Sequence, residues 1–376
     1  MDSTPQAPLS RRAFLRAAAA GTVLAGIGSG QVAHAQRPRR MAAAYTVARF
    51  AENPIIRPDM LPGTDGANVN GPSLIKVPDW VTNPLGRYYL YFAHHYGTYI
   101  RLAYADALTG PWTIHAPGAL TVDQVRAQAK KRAKPGSGAG TRHIASPDVH
   151  VDDAARKIRM YFHAQLADPY ISWEHHSGVA ASVDGLGFTL ENTSTIGPPY
   201  FRVFRYGAYH YAVANRAVVL RSIDGVKWEK TQNANFPASA TDPATRASPR
   251  HVAVQLDGNV LTTYYTRISD APERVQASSA VLDGAWLDWR LSTMTEVVRP
   301  EHEYEGVLLP VKKSRSGDSF VAEHALRDPA IYREDGRTYL LYACKGETGG
   351  IAIAELSTAT SPQASPASGA GLSWRS

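Results

Sequence analysis

One short opening recurs five times along this chain, and a chain made of repeats must stack them. The openings are "NGPSLIKV" at 70–77, "HIASPDVHVDD" at 143–153, "GPPYFRVF" at 197–204, "ASPRHVAV" at 247–254 and "RDPAIYRE" at 327–334. A tyrosine-rich run follows each: "RYYLYFAHH", "KIRMYFHAQ", "AYHYAVANR", "NVLTTYYTR" and "RTYLLYACK". A third run then closes four of the repeats on a Gly-containing turn and a large aromatic, as in "SIDGVKW". Short β-branched and aromatic runs bounded by Gly, Asp and Asn are strand patterns. Each repeat therefore reads as a four-stranded antiparallel sheet that cannot cover both of its faces alone.

Such sheets bury their faces by stacking radially around an axis, which predicts an all-β, five-bladed β-propeller over residues 45–356. The fifth repeat lacks a clear fourth strand, and "YTVARFAENPII" at 45–56 is expected to supply it and close the ring. Proline at the head of an innermost strand fits, because its missing N–H falls before pairing begins. Residues 357–376, "STATSPQASPASGAGLSWRS" from Ser357 onward, read as a low-complexity tail.

The N-terminal 35 residues set "SRRAFLR" ahead of the apolar run "AAAAGTVLAGIG" and the small residues "AHA". This is the pattern of a twin-arginine export leader, too short in its apolar part to span a bilayer comfortably, and it predicts a periplasmic or secreted protein with no membrane insertion once the leader is removed. Cys344 is the single cysteine, so no internal disulfide exists, and its place in "YLLYACKG" predicts a small buried apolar residue. The formal charge of +7 is mild. Its densest patch, "KKRAKPGSGAGTRH", is broken by Gly, Ser and Pro and reads as a solvated loop, with an anionic glycan as a second possibility and no nucleic-acid partner expected.

In a propeller the head of strand one and the exit of strand two share a rim. Flanking the repeated proline there are Gly71, Ser146, Pro198, Ser248 and Asp328 on one side and Ser73, Asp148, Tyr200, Arg250 and Ala330 on the other. Strand-two exits add His94, His95, Tyr96, His163, Arg216, Arg267, Lys345 and Glu347, and the feeding loops add Asp65, Asn70, His143, Glu301, Glu303, Glu305, Glu323, His324 and Arg327. Carboxylates gathered among imidazoles, guanidinium groups and tyrosines suit glycosidic chemistry, in which one group protonates the leaving oxygen and another activates water or attacks the sugar. Asn70, His94, His95, His143, His163, Arg216, Arg250, Arg267 and His324 are the expected substrate-binding residues.

The proline-headed strands, with "SPDV" at 146–149, resemble the five-bladed glycoside hydrolases of families 43, 32 and 117. Likeness to family 43 implies that Asp148 positions and tunes the acid, and "YEGVLL" at 304–309 is similar to the pattern bearing the general acid, which implies Glu305. "LRDPAIY" resembles the Arg-Asp-Pro motif of family 32, which gives Asp328 a role in holding hydroxyls and stabilising the transition state. Family 43 places its base beside the first-blade proline, where this chain has Asn70-Gly71-Pro72; Asp65 is the nearby substitute. Family 117 implies a histidine in proton transfer, for which His94, His143, His163 and His324 are available.

The resulting expectation is an exported glycoside hydrolase, exo-acting on oligo- or polysaccharides; the sequence does not reveal the sugar, and its basic loops only hint at uronate or sulfate groups. The alternatives are a glycan-binding propeller, or a lyase or phosphorylase working through His and Arg. No cofactor and no metal site are expected: Glu174, His175 and His176 have ligand chemistry but lack a settled zinc spacing. A calcium or sodium ion in the channel would leave no mark in the sequence, and neither would oligomeric state.

Overall fold

The computed structural model describes residues 45–236 and 249–358. The leader expected over 1–35 and the tail beyond 358 lie outside the described residues. Strand β1 is Tyr45–Arg49. Blade one follows as β2 (Asn70–Lys76), β3 (Tyr88–Ala93), β4 (Tyr99–Ala105) and β5 (Thr113–Thr121). Blade two is β6 (His143–Asp152), β7 (Lys157–Gln165), β8 (His176–Ser182) and β9 (Thr189–Leu190). Blade three is β10 (Arg202–Tyr206), β11 (Tyr209–Val213) and β12 (Val219–Ser222). Blade four is β13 (Pro249–Asp257), β14 (Val260–Arg267), β15 (Val275–Val281) and β16 (Thr295–Val298). Blade five is β17 (Arg327–Glu334), β18 (Arg337–Ala343) and β19 (Ile351–Thr358).

The five-bladed propeller is therefore present, and β1 pairs antiparallel with β19 as the outer strand of blade five. That strand covers 45–49 rather than the whole of 45–56. Blade three has three strands among the described residues, with Asn233 and Trp228 bridged to β12 where a fourth would run. The tail was expected to start at 357, yet β19 continues to Thr358. One short helix, α1 (Val122–Gln128), follows β5; Gln124 N donates to Thr121 Oγ1 and the Gln124 side chain returns to the Thr121 N–H, a reciprocal cap that starts it.

Five apolar clusters fill the gaps between neighbouring blades, one per junction. A middle strand lies between two such clusters, which is why β3 is buried at every residue and its sequence is continuously apolar and aromatic. The tyrosines add a polar end to that packing. Tyr91 donates to Gly185 O at 2.8 Å in blade two, and Tyr161 donates to Gly225 O at 3.0 Å in blade three. Both glycines sit in Ser-x-Asp-Gly turns with φ of +78° and +72°, and a Cβ on either would meet the tyrosine oxygen at 2.7 Å. Only glycine meets both demands. Cys344 is buried and unpaired, as its strand context implies.

Candidate functional site

The repeated proline marks a β-bulge. Opposite β3, Asn70 faces Ala93 and Ser73 faces Tyr91; opposite β7, Ala145 faces His163 and Asp148 faces Tyr161; opposite β18, Arg327 faces Ala343 and Ala330 faces Leu341. The innermost strands of blades one, two and five thus spend one extra residue at their heads, with Gly71, Ser146 and Asp328 at φ of +58°, +52° and +48° before the proline. A bulge re-aims side chains and ends pairing, and positive φ at Ser and Asp is strain that the surrounding ladder must hold. Blade four has the same bulge, but there Pro249 faces Arg267 and the extra residue lies at Arg250-His251. Alignment on the proline is therefore two residues out of register in that blade, and it hides His251.

All five blades deliver residues to one cavity at this end of the channel. Blade one gives Asn70 and His95; blade two gives His143, Ala145, Ser146, His163 and His175; blades three, four and five give Tyr200, His251 and Asp328. Asp328 lies against His251 Nδ1 through Oδ1, while its Oδ2 is buried without a protein partner. Asp328 is the one carboxylate in the lining, where the sequence implied a pair. Tyr200 stands over His251, His163 and His175, with ring centroids 4.9, 4.7 and 5.6 Å away. Burial and the charge of Asp328 push its hydroxyl up to about 12, so it stays protonated, and its oxygen lies 3.2 Å from His175 Nε2.

The imidazoles divide by electrostatics. Burial, helped by neighbouring rings, holds His163 well below its ordinary value and brings His175 down to about 4. Burial also lowers His143. His95 goes the other way: burial pulls it down, but Glu347, 3.6 Å away, more than offsets this and leaves it above its ordinary value. Glu347 is fully buried and receives Asn68 at 2.6 Å, Asn70 at 3.2 Å and Arg327 at 3.3 Å. Arg327 reaches Glu273 at 3.0 Å and Glu323 at 2.7 Å, and Arg250 closes on Glu273 at 3.4 Å. This buried ionic network runs from blade four through blade five to blade one beneath the cavity.

Of the sequence-derived candidates, Asn70, His95, His143, His163 and Asp328 come together in the lining. Asp148 does not join them. Its Oδ2 accepts from Val203 N at 2.7 Å on the next blade and from His150 at 2.8 Å; burial raises its carboxyl, but His150, Arg202 and the Val203 N–H more than offset that and lower it. Ser73, at the same bulge position, accepts from Val149 N at 2.9 Å, so both side chains stitch one innermost strand to the next. Glu305 is fully buried and bonded to Arg49 at 2.7 Å, Tyr342 at 2.6 Å and the N–H groups of Glu301 and His302, where it anchors the closing strand. Asp65 is taken by Tyr99 at 2.5 Å and Arg101 at 3.5 Å. These three carboxylates lie outside the cavity lining because each already serves a contact within or between blades.

His94 packs on Phe320 at 5.3 Å, and His324 donates to Leu309 O. Arg267 pairs with Asp270 at 3.1 Å, Arg250 is spent on Glu273 and on the carbonyls of Arg315 and Gly317, and Arg216 is exposed on a turn at φ +58°. None of these five lines the cavity. Buried Arg202 of blade three ties the innermost strands on either side of it, donating to Pro147 O and Val252 O at 2.9 and 3.0 Å. Outside the mouth, Tyr96 and Phe320 stack at 5.8 Å with both rings exposed.

No family model matches the chain. The uncharacterized protein R118 of Acanthamoeba polyphaga mimivirus is 34% identical over 329 residues, spanning 81% of this chain and 88% of that protein. Among solved structures, a thermostable family-43 glycoside hydrolase is 14% identical with a TM-score of 0.50 over 77% of this chain and 89% of that one. An α-L-arabinofuranosidase from Lactobacillus brevis is 16% identical with a TM-score of 0.48, covering 81% and 92%. The likeness to the solved structures is one of fold: the five-bladed propeller of the family-43 glycoside hydrolases.

Proposed function

Since the chain belongs to the same family as the mimivirus protein R118 and has the five-bladed propeller of the family-43 glycoside hydrolases, we propose that it cleaves glycosidic bonds in the cavity at the channel mouth. The observation that carries this reading is Asp328, whose buried Oδ2 faces no protein partner while Oδ1 lies against His251. A carboxylate so placed can take a proton from water or approach an anomeric carbon. The matching acid is His95, which Glu347 keeps toward its protonated form. The Tyr200 hydroxyl supplies a hydrogen bond to a sugar hydroxyl, and the exposed Tyr96–Phe320 pair offers a face for the next residue of the chain. A small cavity at the end of a channel suits a chain terminus and so exo-action, and the twin-arginine motif supports export.

A second reading is elimination from a uronate, favoured by a lining with one carboxylate and many imidazoles. A panel of neutral and uronate-containing oligosaccharides separates the two. New reducing ends without an ultraviolet-absorbing double bond support hydrolysis; an unsaturated uronate product supports elimination; binding without either product contradicts both.

A further inference from the structure

We propose that His143, His163 and His175 together bind a divalent transition-metal ion, zinc foremost, with its remaining coordination position open to the cavity. The three residues come from one blade. His143 heads β6, His163 lies near the end of the paired strand β7, and His175 immediately precedes β8. Each offers a ring nitrogen within 4.8 Å of the other two, and His143 and His163 are buried. Tetrahedral zinc with Zn–N of about 2.0–2.1 Å sets its nitrogens about 3.4 Å apart. Side-chain turns of the order of 1 Å therefore close the site.

Two further observations point to a ligand there. His163 is 3% exposed and its Nδ1 has no hydrogen-bond partner, an arrangement that buried polar atoms seldom tolerate. The Nδ1–H of His143 is donated to Thr141 O at 3.0 Å, which fixes the tautomer and leaves Nε2 with its lone pair free, as the outer hydrogen bond of a metal-bound histidine does. His175 is held at φ +57°, a strained backbone that places its ring 4.8 Å from that of His163. Donor chemistry selects the ion. Three imidazoles without a carboxylate suit zinc, cobalt, nickel or copper, whereas calcium, magnesium and sodium seek oxygen. The open position faces the space that Tyr200, His251 and Asp328 share.

The inference goes beyond the proposed cleavage reaction, and its test reads metal rather than turnover. The full chain, without a histidine tag, is stripped with a chelator and titrated with Zn²⁺ by calorimetry and with Co²⁺ in the visible range. One equivalent of each is expected, with the intense bands of tetrahedral cobalt. His143→Ala and His163→Ala are expected to weaken zinc at least about 100-fold, while His94→Ala binds like the parent. Absence of binding, or binding unchanged in the first two variants, overturns the site. Should those variants not fold, X-ray absorption of the zinc-loaded parent decides: a shell containing three imidazoles supports the site, and an oxygen-dominated shell overturns it.

Discussion

Glu347 is buried, and its carboxylate is the counter-charge that raises the proton affinity of the His95 imidazole in a place where burial alone would lower it. If His95 protonates the leaving oxygen, the alkaline limb of activity follows its proton affinity. Glu347→Gln removes the largest charge opposing burial, leaving only the weaker pull of Asp318 and Asp328, so that limb is expected to move to lower pH while the acid limb stays. An unmoved alkaline limb would show that another group is the acid. Stability carries the same pair with opposite signs. Burial raises Glu347, but His95, Arg327 and Asn68 more than offset it and hold it below its ordinary 4.5, so its contribution is full above that value and lost as pH falls. His95 sits above its ordinary 6.5, so its contribution is present below that value and lost as pH rises through the folded one. Urea midpoints measured across pH are expected to peak between those limits in the parent and to flatten in Glu347→Gln.

At the level of elements, the bulge decides which side chains face the cavity and which face a neighbouring blade. Asp148 and Ser73 occupy the same step after the bulge and accept an N–H from the next innermost strand. Asp148→Ala leaves the Val203 N–H and His150 without their acceptor and is expected to destabilise the protein by about 1.5–3 kcal/mol, measured by urea unfolding; an unchanged midpoint would deny the stitch. The repeats, the blade count and the closing strand were legible in the sequence because strand periodicity and turn residues are local signals. The bulge register was not, since it depends on which residue of the partner strand lies opposite. That is why Asp148, read as a channel residue, turns to the next blade, while His251 escaped notice one residue beyond Arg250. Asp328, His95, His143 and His163 were legible because a rim position needs only the strand's end. The contacts that occupy Asp65 and Glu305 join residues far apart in the chain, and no local pattern announces them.

For the molecule as a whole, the ring is a closed circuit with one seam, where β1 lies along β19. Arg49 on β1 reaches Glu305 at 2.7 Å and Glu301 at 2.8 Å, with Arg49 and Glu305 nearly or fully buried. Removing one member of a buried pair strands the other charge, so Arg49→Ala is expected to lower stability by about 3–5 kcal/mol. It should also speed amide exchange along β19 and promote association through the freed edge; an unaltered exchange pattern would mean that the seam is held elsewhere. The closed ring matters to function because it brings residues from five blades to one mouth, where Asp328 is the carboxylate available for chemistry. The most direct measurement is kcat/KM for Asp328→Asn and Asp148→Asn on the oligosaccharide that the panel selects. A fall of at least about 100-fold in Asp328→Asn, with Asp148→Asn close to the parent per folded molecule, is the expected result. The reverse order would return the chemistry to Asp148 and contradict a reaction centred on this cavity.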